Sequence, residues 1–412
     1  MERFARDGSS QGAGRMPERP LRILELRTVR GTGGGPEKTI LLGSARTDPS
    51  RYAITVCYIR DERDPVYHID RRAENLPVDY VEVRERNSFD PRIWSRLKDL
   101  VKIRQIDIVH AHDYKTDLLA WLLHRRTGVI PFATAHGWTG HSPRERFVYY
   151  PGDRRLLAQL PHVVAVSSDI REQLIAAGAK PGNVTVVLNA IDPVAFVRST
   201  EDVGTARARF GVSPGEFVIG SVGRLEPQKD FPSLMTAFSQ LILQVPNARL
   251  LIAGDGSLRS ALQAQIDRLG LQRQCRLLGH VDDVKQLHHA LDLFAQSSVY
   301  EGTPNSVLEA MALETAIVAT DAGGTAELAR DGREALIVPY QDSKALSRAM
   351  LTAIQEVDAR GVRVRAARHR VETELSFDTR LRRVETIYDA LAERFPRARP
   401  PRESALTACE TS

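Results

Sequence analysis

Two α/β units in succession, each an all-parallel sheet with helices on both faces, are the fold this sequence predicts. Three observations carry that expectation. A length of 412 residues suits two domains with sizeable cores. Short apolar runs alternate with helical patterns along most of the chain, the signature of parallel strands joined by crossover helices. The alternation is interrupted once, by a linker with a short helical segment over 192–214. Hydrophobic content of 42% and charged content of 26% are globular values, and no apolar run approaches the roughly 18 residues of a membrane span.

In the first unit, residues 1–19 read as a flexible, polar leader without the apolar core of a secretory signal. Leu21–Leu26 is the first strand. It runs into Gly31-Thr32-Gly33-Gly34-Gly35-Pro36, where Pro36 opens a helix. Glycines at such a turn let backbone approach a ligand; a tight turn and nothing more is the plain alternative. The spacing is not GxGxxG and no acidic residue ends the next strand, YAITVCYIR, which argues against a dinucleotide site.

VDYVEV is a further strand and PRIWSRLKDLVKIRQ a helix with an apolar stripe. IDIVHAHDYKTDLLAWLLHRR reads as strand, turn and helix. His110 and His112 share one face of its strand end, as metal ligands do, but no third ligand stands at a telling distance, so no metal is expected. Asp113 and Lys115 lie in the turn, placed to line a cleft. PFATAHGWTGH ends a short strand at His136-Gly137-Trp138, with Trp138 and His141 as further candidates on the acceptor side. The segment SPRERFVYYPGDRRLLAQL mixes arginines with aromatics; it suits a lipid headgroup or glycan, and equally a helix packing its apolar side inward. HVVAVSSDIREQLIAAGA is strand then helix, capped by Ser168 or Asp169, and VTVVLNAIDP closes the unit.

Six strands follow in the second unit: FVIGSVGRL, ARLLIAGDG, CRLLGHV, LDLFAQSSV, AIVAT and ALIVP. The stretch from Ser297 to Glu327 organises them. Thr303-Pro304 is a helix-start signal, with Thr303 as cap, and a helix from Pro304 to Leu313 leaves the amides of Asn305, Ser306 and Val307 for an anion. Glu309, a turn further in, would repel a diphosphate and so faces something neutral, such as a ribose diol. Arg224 and Lys229 follow FVIGSVG and can converge on a leaving diphosphate, supplying the positive charge without a metal.

Glu301-Gly302-x-Pro304, then Glu309-Ala310-Met311-Ala312, a strand, and Gly323-Gly324-x-x-Glu327-Leu328 resemble the donor-site signature of retaining glycosyltransferases of family four. Gly223-Arg224-Leu225 with Lys229 resembles the same family's phosphate-binding segment, and Asn189-Ala190-Ile191-Asp192 its Asn-Gly-Ile-Asp stretch, with Ala190 where Gly is usual. The resemblance implies a GT-B architecture, two Rossmann-like doubly wound parallel-sheet domains facing a central cleft. On it, residues 20–195 form the acceptor-side domain, 196–375 bind the nucleotide-sugar, 376–395 cross back as a helix, and 396–412 are a disordered tail. It also implies roles. Gly33, Gly34 and Gly35 lie beside the donor phosphates, and His136 reaches the donor sugar or reaction centre. Arg224 and Lys229 hold the diphosphate, Glu309 the ribose, Glu301 a sugar hydroxyl, and backbone at His280 and Val281 the base.

The implied activity is retaining transfer from a UDP- or GDP-type sugar to a saccharide or lipid-linked acceptor, in polysaccharide or glycolipid synthesis, with no cofactor and no metal. A nucleotide-sugar epimerase of the same shape and a non-catalytic binding protein are the alternatives. Two-carboxylate glycoside hydrolysis fits poorly, because the second carboxylate stands inside a helix whose start suits phosphate. The net charge of +5 comes from a basic first half, which suits an anionic acceptor or membrane surface and equally an ordinary solvated face rich in arginine. Dispersed basic residues without a binding module argue against nucleic acid. Three widely spaced cysteines, Cys57, Cys275 and Cys409, with no CxxC pair, indicate a reducing, cytoplasmic setting and no structural zinc, and the basic half suits peripheral contact on the inner membrane face.

Overall fold

The computed structural model describes residues 19–396, apart from positions 30, 32–33, 68, 88–89 and 139–143. The leader up to residue 18, Gly33, His141 and the tail from residue 397 lie outside the described residues.

The first sheet holds β1 (Leu21–Val29), β2 (Tyr52–Asp61), β3 (Asp79–Glu85), β4 (Ile108–Ala111), β5 (Ile130–Ala135), β6 (Val163–Ala165) and β7 (Val184–Val186), in the order β3-β2-β1-β4-β5-β6-β7. Every pair is parallel. Alternation along β1 sorts the residues to two faces. Leu24 and Leu26 pack with Ile93, Leu97 and Val101 of the helix Pro91–Ile103. Ile23 packs on the other face with Phe132 and with Val384, Ile387, Tyr388 and Leu391 of the helix Phe377–Arg394. The last helix therefore completes the first lobe's core. Each of those four side chains contributes about 2 kcal/mol by leaving water.

The second sheet holds β8 (Phe217–Val222), β9 (Ala248–Ala253), β10 (Cys275–Gly279), β11 (Leu293–Gln296), β12 (Ala316–Thr320) and β13 (Leu336–Val338), again all parallel, in the order β10-β9-β8-β11-β12-β13. Its two faces carry separate cores, one around Phe294, Val307 and Met311, the other around Phe231, Phe238 and Ile252. All six expected strands are present. Near the floor of the cleft the two chain crossings between the lobes are stitched together. Ile191 N–H donates to Leu375 O (3.1 Å) and Phe377 N–H to Ile191 O (2.9 Å).

Helix starts differ from expectation in two places. The helix Ser168–Ala176 is capped one residue earlier, by Ser167, whose Oγ accepts from Ile170 N–H at 3.3 Å. The helix Asn305–Ala312 begins after Pro304, and Thr303 does not cap it; the Thr303 hydroxyl instead donates across the cleft to Val166 O. Val307 N–H is also occupied, by Pro304 O at 3.1 Å, which leaves Asn305 and Ser306 at the terminus. Cys57 and Cys275 are buried free thiols. No helix among the described residues is long and apolar enough to cross a membrane.

Candidate functional site

In an open parallel sheet the strand order reverses at one point, where the loops leaving two neighbouring strands part and open a crevice. Here those points lie between β1 and β4 and between β8 and β11. The glycine loop follows β1 and His112 follows β4; Arg224 follows β8 and Glu301 follows β11. Sequence order alone thus delivers most of the expected site to two crevices.

The second crevice is closely knit. Lys229, in a short turn Pro227–Lys229, places Nζ 2.5 Å from Glu301 Oε1, and Ser298 Oγ donates to the same oxygen at 2.6 Å. The backbones are tied as well: Val299 N–H donates to Gln228 O (2.9 Å), Gln228 Nε2 to Tyr300 O (2.7 Å) and Ser297 Oγ to Lys229 O (2.8 Å). Gly223 makes room for the lysine, since a Cβ there would stand 3.0 Å from Lys229 Cε. Gly254, with φ of 141°, lets β9 end against β8; a Cβ would fall 1.9 Å from Gly223 O. Arg224, which follows β8, is exposed. His280 and Val281 leave β10 at the same edge, His280 outward with Asp282 Oδ1 at 3.3 Å and Val281 against the core. Glu309 is half-buried on the helix Asn305–Ala312.

The two lobes meet across these loops. Gly35 lies so close to Asn305 that a Cβ would come within 1.8 Å of its Nδ2, and Gly302 stands against His136 O, 2.7 Å from where a Cβ would be. Asn189 Nδ2 donates to Thr303 O (3.1 Å) and Asn305 Oδ1 (3.3 Å). Glu327 accepts from both Ser168 N–H and Ser168 Oγ at 2.7 Å, a carboxylate on the first turn of a helix in the opposite lobe. Gly34, Gly35, His136, Glu301, Pro304 and Asn305 therefore converge. The helix behind Gly34 is fixed by Pro36 and by Glu37, whose Oε2 accepts Gly34 N–H at 2.6 Å while Oε1 takes Arg27 Nε at 2.6 Å.

Three acceptor-side candidates prove to be engaged in the framework. Asp113 caps the helix Tyr114–Thr127, accepting from Lys115 N–H and Thr116 N–H at 3.1 Å and from Thr28 N–H at 2.7 Å. Lys115 pairs with buried Glu85. Trp138 donates its indole N–H to Asp153 Oδ2 (2.9 Å) beneath the Arg154 guanidinium. Burial pushes Asp153 up to about 6, and the neighbouring Asp117 well above the ordinary carboxyl range.

Behind His136 lies a polar cluster that the sequence reading missed. Glu25 on β1 pairs in register with His110 on β4. Its carboxylate takes Tyr388 OH (2.8 Å) and His110 Nδ1 (3.1 Å) on Oε1, and His112 Nε2 (2.5 Å) on Oε2. His112 Nδ1 in turn faces His136 Nε2 at 3.3 Å. A cavity of about 30 Å³ lies beside Glu25, His112, His136, Arg380 and Tyr388, room for roughly one water. Glu25 is the third ligand-capable group that the sequence did not reveal: its oxygen and ring nitrogens of His110 and His112 lie within 4.8 Å of one another. Each of those atoms hydrogen-bonds within the cluster, and the Arg380 cation stands beside it. Although burial works to raise Glu25, the facing histidines hold its carboxyl well below the usual range. Burial pushes His112 down to about 3, and burial with Arg27 nearby holds His136 well below the ordinary imidazole value, so both rings are neutral. The signal was a carboxylate inside an apolar strand, which must find partners.

Two family models match the chain: glycosyl transferases group 1 over residues 202–370 and glycosyltransferase family 4 over residues 33–194. The chain is a family-four glycosyltransferase of the GT-B type. This glycosyltransferase is 28% identical over 280 residues to EpsD of Bacillus subtilis (strain 168), named as a glycosyltransferase, across 64% of this chain and 72% of EpsD. It is 25% identical over 264 residues to the Escherichia coli UDP-Gal:alpha-D-GlcNAc-diphosphoundecaprenol alpha-1,3-galactosyltransferase, across 62% of this chain and 68% of that one. Over other curated relatives the match spans only 56–61% of their length. The fold of the glycosyltransferase is that of Anabaena HepE, crystallised with UDP and glucose: TM-score 0.79 at 21% identity, over 90% of this chain and all of HepE.

Proposed function

We propose that the chain transfers a sugar, with retention, from a nucleotide-diphosphate sugar to a saccharide or lipid-linked acceptor. The Lys229–Glu301 pair at the second switch point, with exposed Arg224 alongside, carries this reading. Arg224 and Lys229 neutralise the diphosphate as negative charge grows on it during departure, which makes a metal unnecessary. The carboxylate of Glu301 keeps Lys229 in place before the donor arrives and accepts a donor hydroxyl. The start of the helix Asn305–Ala312 offers Asn305 and Ser306 to phosphate, Glu309 takes the ribose, and backbone at His280 and Val281 borders the base. His136, Gly34 and Gly35 close the site from the first lobe. The acceptor then attacks from the face the nucleotide leaves, so no protein nucleophile is required.

UDP and glucose are bound in HepE, and the E. coli relative is named for a UDP-sugar donor and a lipid-diphosphate acceptor, which supports a UDP-sugar and a lipid-linked glycan for this chain. The basic first half favours peripheral contact with an anionic membrane, on the cytoplasmic side. A thermal-shift panel of UDP-, GDP- and ADP-sugars tests the donor; a ligand at a hundred times its dissociation constant stabilises by about 2.7 kcal/mol. Product NMR then reads the anomeric configuration. No shift with any of the three, or an inverted product, overturns the reading; free epimer released without acceptor would point to an epimerase.

A further inference from the structure

We infer that Glu25 and His112 are positioning residues: they fix the proton of His136 on Nε2, so that His136 Nδ1 meets the sugar substrate as a hydrogen-bond acceptor. The inference rests on the placement of His136 in the cleft given above and deepens it.

The protons can be assigned one by one. A carboxylate only accepts, so Tyr388 OH and His112 Nε2–H donate to Glu25, while His110 Nδ1 lies 3.1 Å from Glu25 Oε1 and 2.7 Å from the Tyr388 hydroxyl. His110 Nε2 pairs with Thr134 Oγ1 at 2.8 Å. His112 is neutral, so with its proton on Nε2 its Nδ1 is a lone pair. His136 Nε2, 3.3 Å from that lone pair, must carry a hydrogen. His136 is neutral as well, since burial, Arg27 and Arg380 all oppose a further proton. Its Nδ1 is therefore a lone pair, with no partner among the described residues.

The chain of assignments starts at an anion in the middle of β1 and ends at the cleft. Its chemical consequence is selectivity. Such a His136 takes a hydroxyl hydrogen from a hexose; it cannot donate to a carbonyl or to a fluorine put in the hydroxyl's place. Tyr388 also wires the crossing helix Phe377–Arg394 into the network, so that helix helps to hold the tautomer.

Multiple-bond 1H–15N spectra of the full chain, labelled with 15N-histidine and assigned with His136→Asn and His112→Asn, read the tautomers directly. In the unmutated protein His112 and His136 should both be neutral with Nε2–H. A proton on His136 Nδ1, or a protonated His112 at neutral pH, overturns the inference, and this measurement needs no catalysis. In Glu25→Gln the amide can donate to His112 Nε2, which should turn both His112 and His136 to Nδ1–H. With a correct donor in hand, kcat should then fall about 10- to 100-fold, the size of one unmet polar contact, while the donor KM stays near its original value. Reversed tautomers with unchanged kcat would remove the positioning role. Absence of transfer with every donor would instead sink the proposed function and leave the tautomers to be judged from the spectra.

Discussion

Lys229 Nζ and Glu301 Oε1 are 2.5 Å apart although 72 residues separate them. From their motifs these two side chains belong to different parts of the donor, the lysine to the diphosphate and the carboxylate to the sugar. The structure makes them partners first, so the cation is held by its neighbour and not by ligand alone. Glu301 is 7% exposed, and neither member can be lost without stranding the other.

Lys229→Ala should lower kcat/KM by on the order of 10²- to 10³-fold, the usual loss when one preorganised donor to a developing charge is removed. It should also cost about 1–3 kcal/mol of stability by leaving Glu301 unpaired. The double variant Lys229→Met with Glu301→Gln should recover much of that stability and none of the activity. Urea denaturation and initial rates check the two halves separately; equal stability of the single and double variants would contradict the pairing.

Arg224→Ala and Glu309→Ala should part company. The exposed Arg224 acts on charge that appears as the bond breaks, so its loss should reduce turnover with little change in donor affinity. Glu309 is expected on the ribose, so its loss should weaken nucleotide binding by calorimetry, by about 1–3 kcal/mol. Unchanged values for both variants would remove these roles.

Glu327 joins the lobes through Ser168, and its replacement should loosen them. Glu327→Ala should raise the radius of gyration seen by small-angle X-ray scattering of the ligand-free chain and lower the melting temperature modestly, by the worth of about 1 kcal/mol. A profile identical to that of the unmutated chain would show that the other cross-lobe bonds suffice.

Asp153 gives the chain a pH signature. Its folded value near 6 stands above an unfolded value of about 3.9, so the folded state binds more protons in between. The associated stability is complete below the unfolded value and is lost as pH rises through 6, on the order of 3 kcal/mol for a shift of this size. The melting temperature should therefore decline from pH 4 to pH 7. In Asp153→Asn, which still offers an oxygen to Trp138, the decline should flatten. Asp117, Asp113 and Arg154 face the same carboxyl and are left in place.

Both sheets and the cleft-lining loops were legible because parallel strands announce themselves as apolar runs and deliver their following loops to one edge. The remainder was not, for reasons that differ by residue. Asp113 follows a strand and precedes a helix, the commonest position for a cap; the expectation that it lines the cleft overlooked that local signal. Thr303 had the same signature, but a carbonyl of the opposite lobe outcompetes its own helix, which no local pattern records. Glu25, Tyr388 and His136 come from three distant segments: the register of β1 against β4 sets Glu25 beside His110, β5 pairing with β4 brings His136, and the packing of the last helix brings Tyr388. The pairing of Lys229 with Glu301 needs the β8–β11 adjacency, which strand order in the chain does not state.

The helix Phe377–Arg394 fills one face of a sheet whose strands end at residue 186. During translation that face, with Ile23, Phe132 and Val164, stays uncovered until the whole second lobe has emerged. The second lobe, one uninterrupted segment, is thus able to mature before the first, reversing the usual N-to-C order of domain folding. Until then the nascent amino-terminal half carries this apolar face open to solvent.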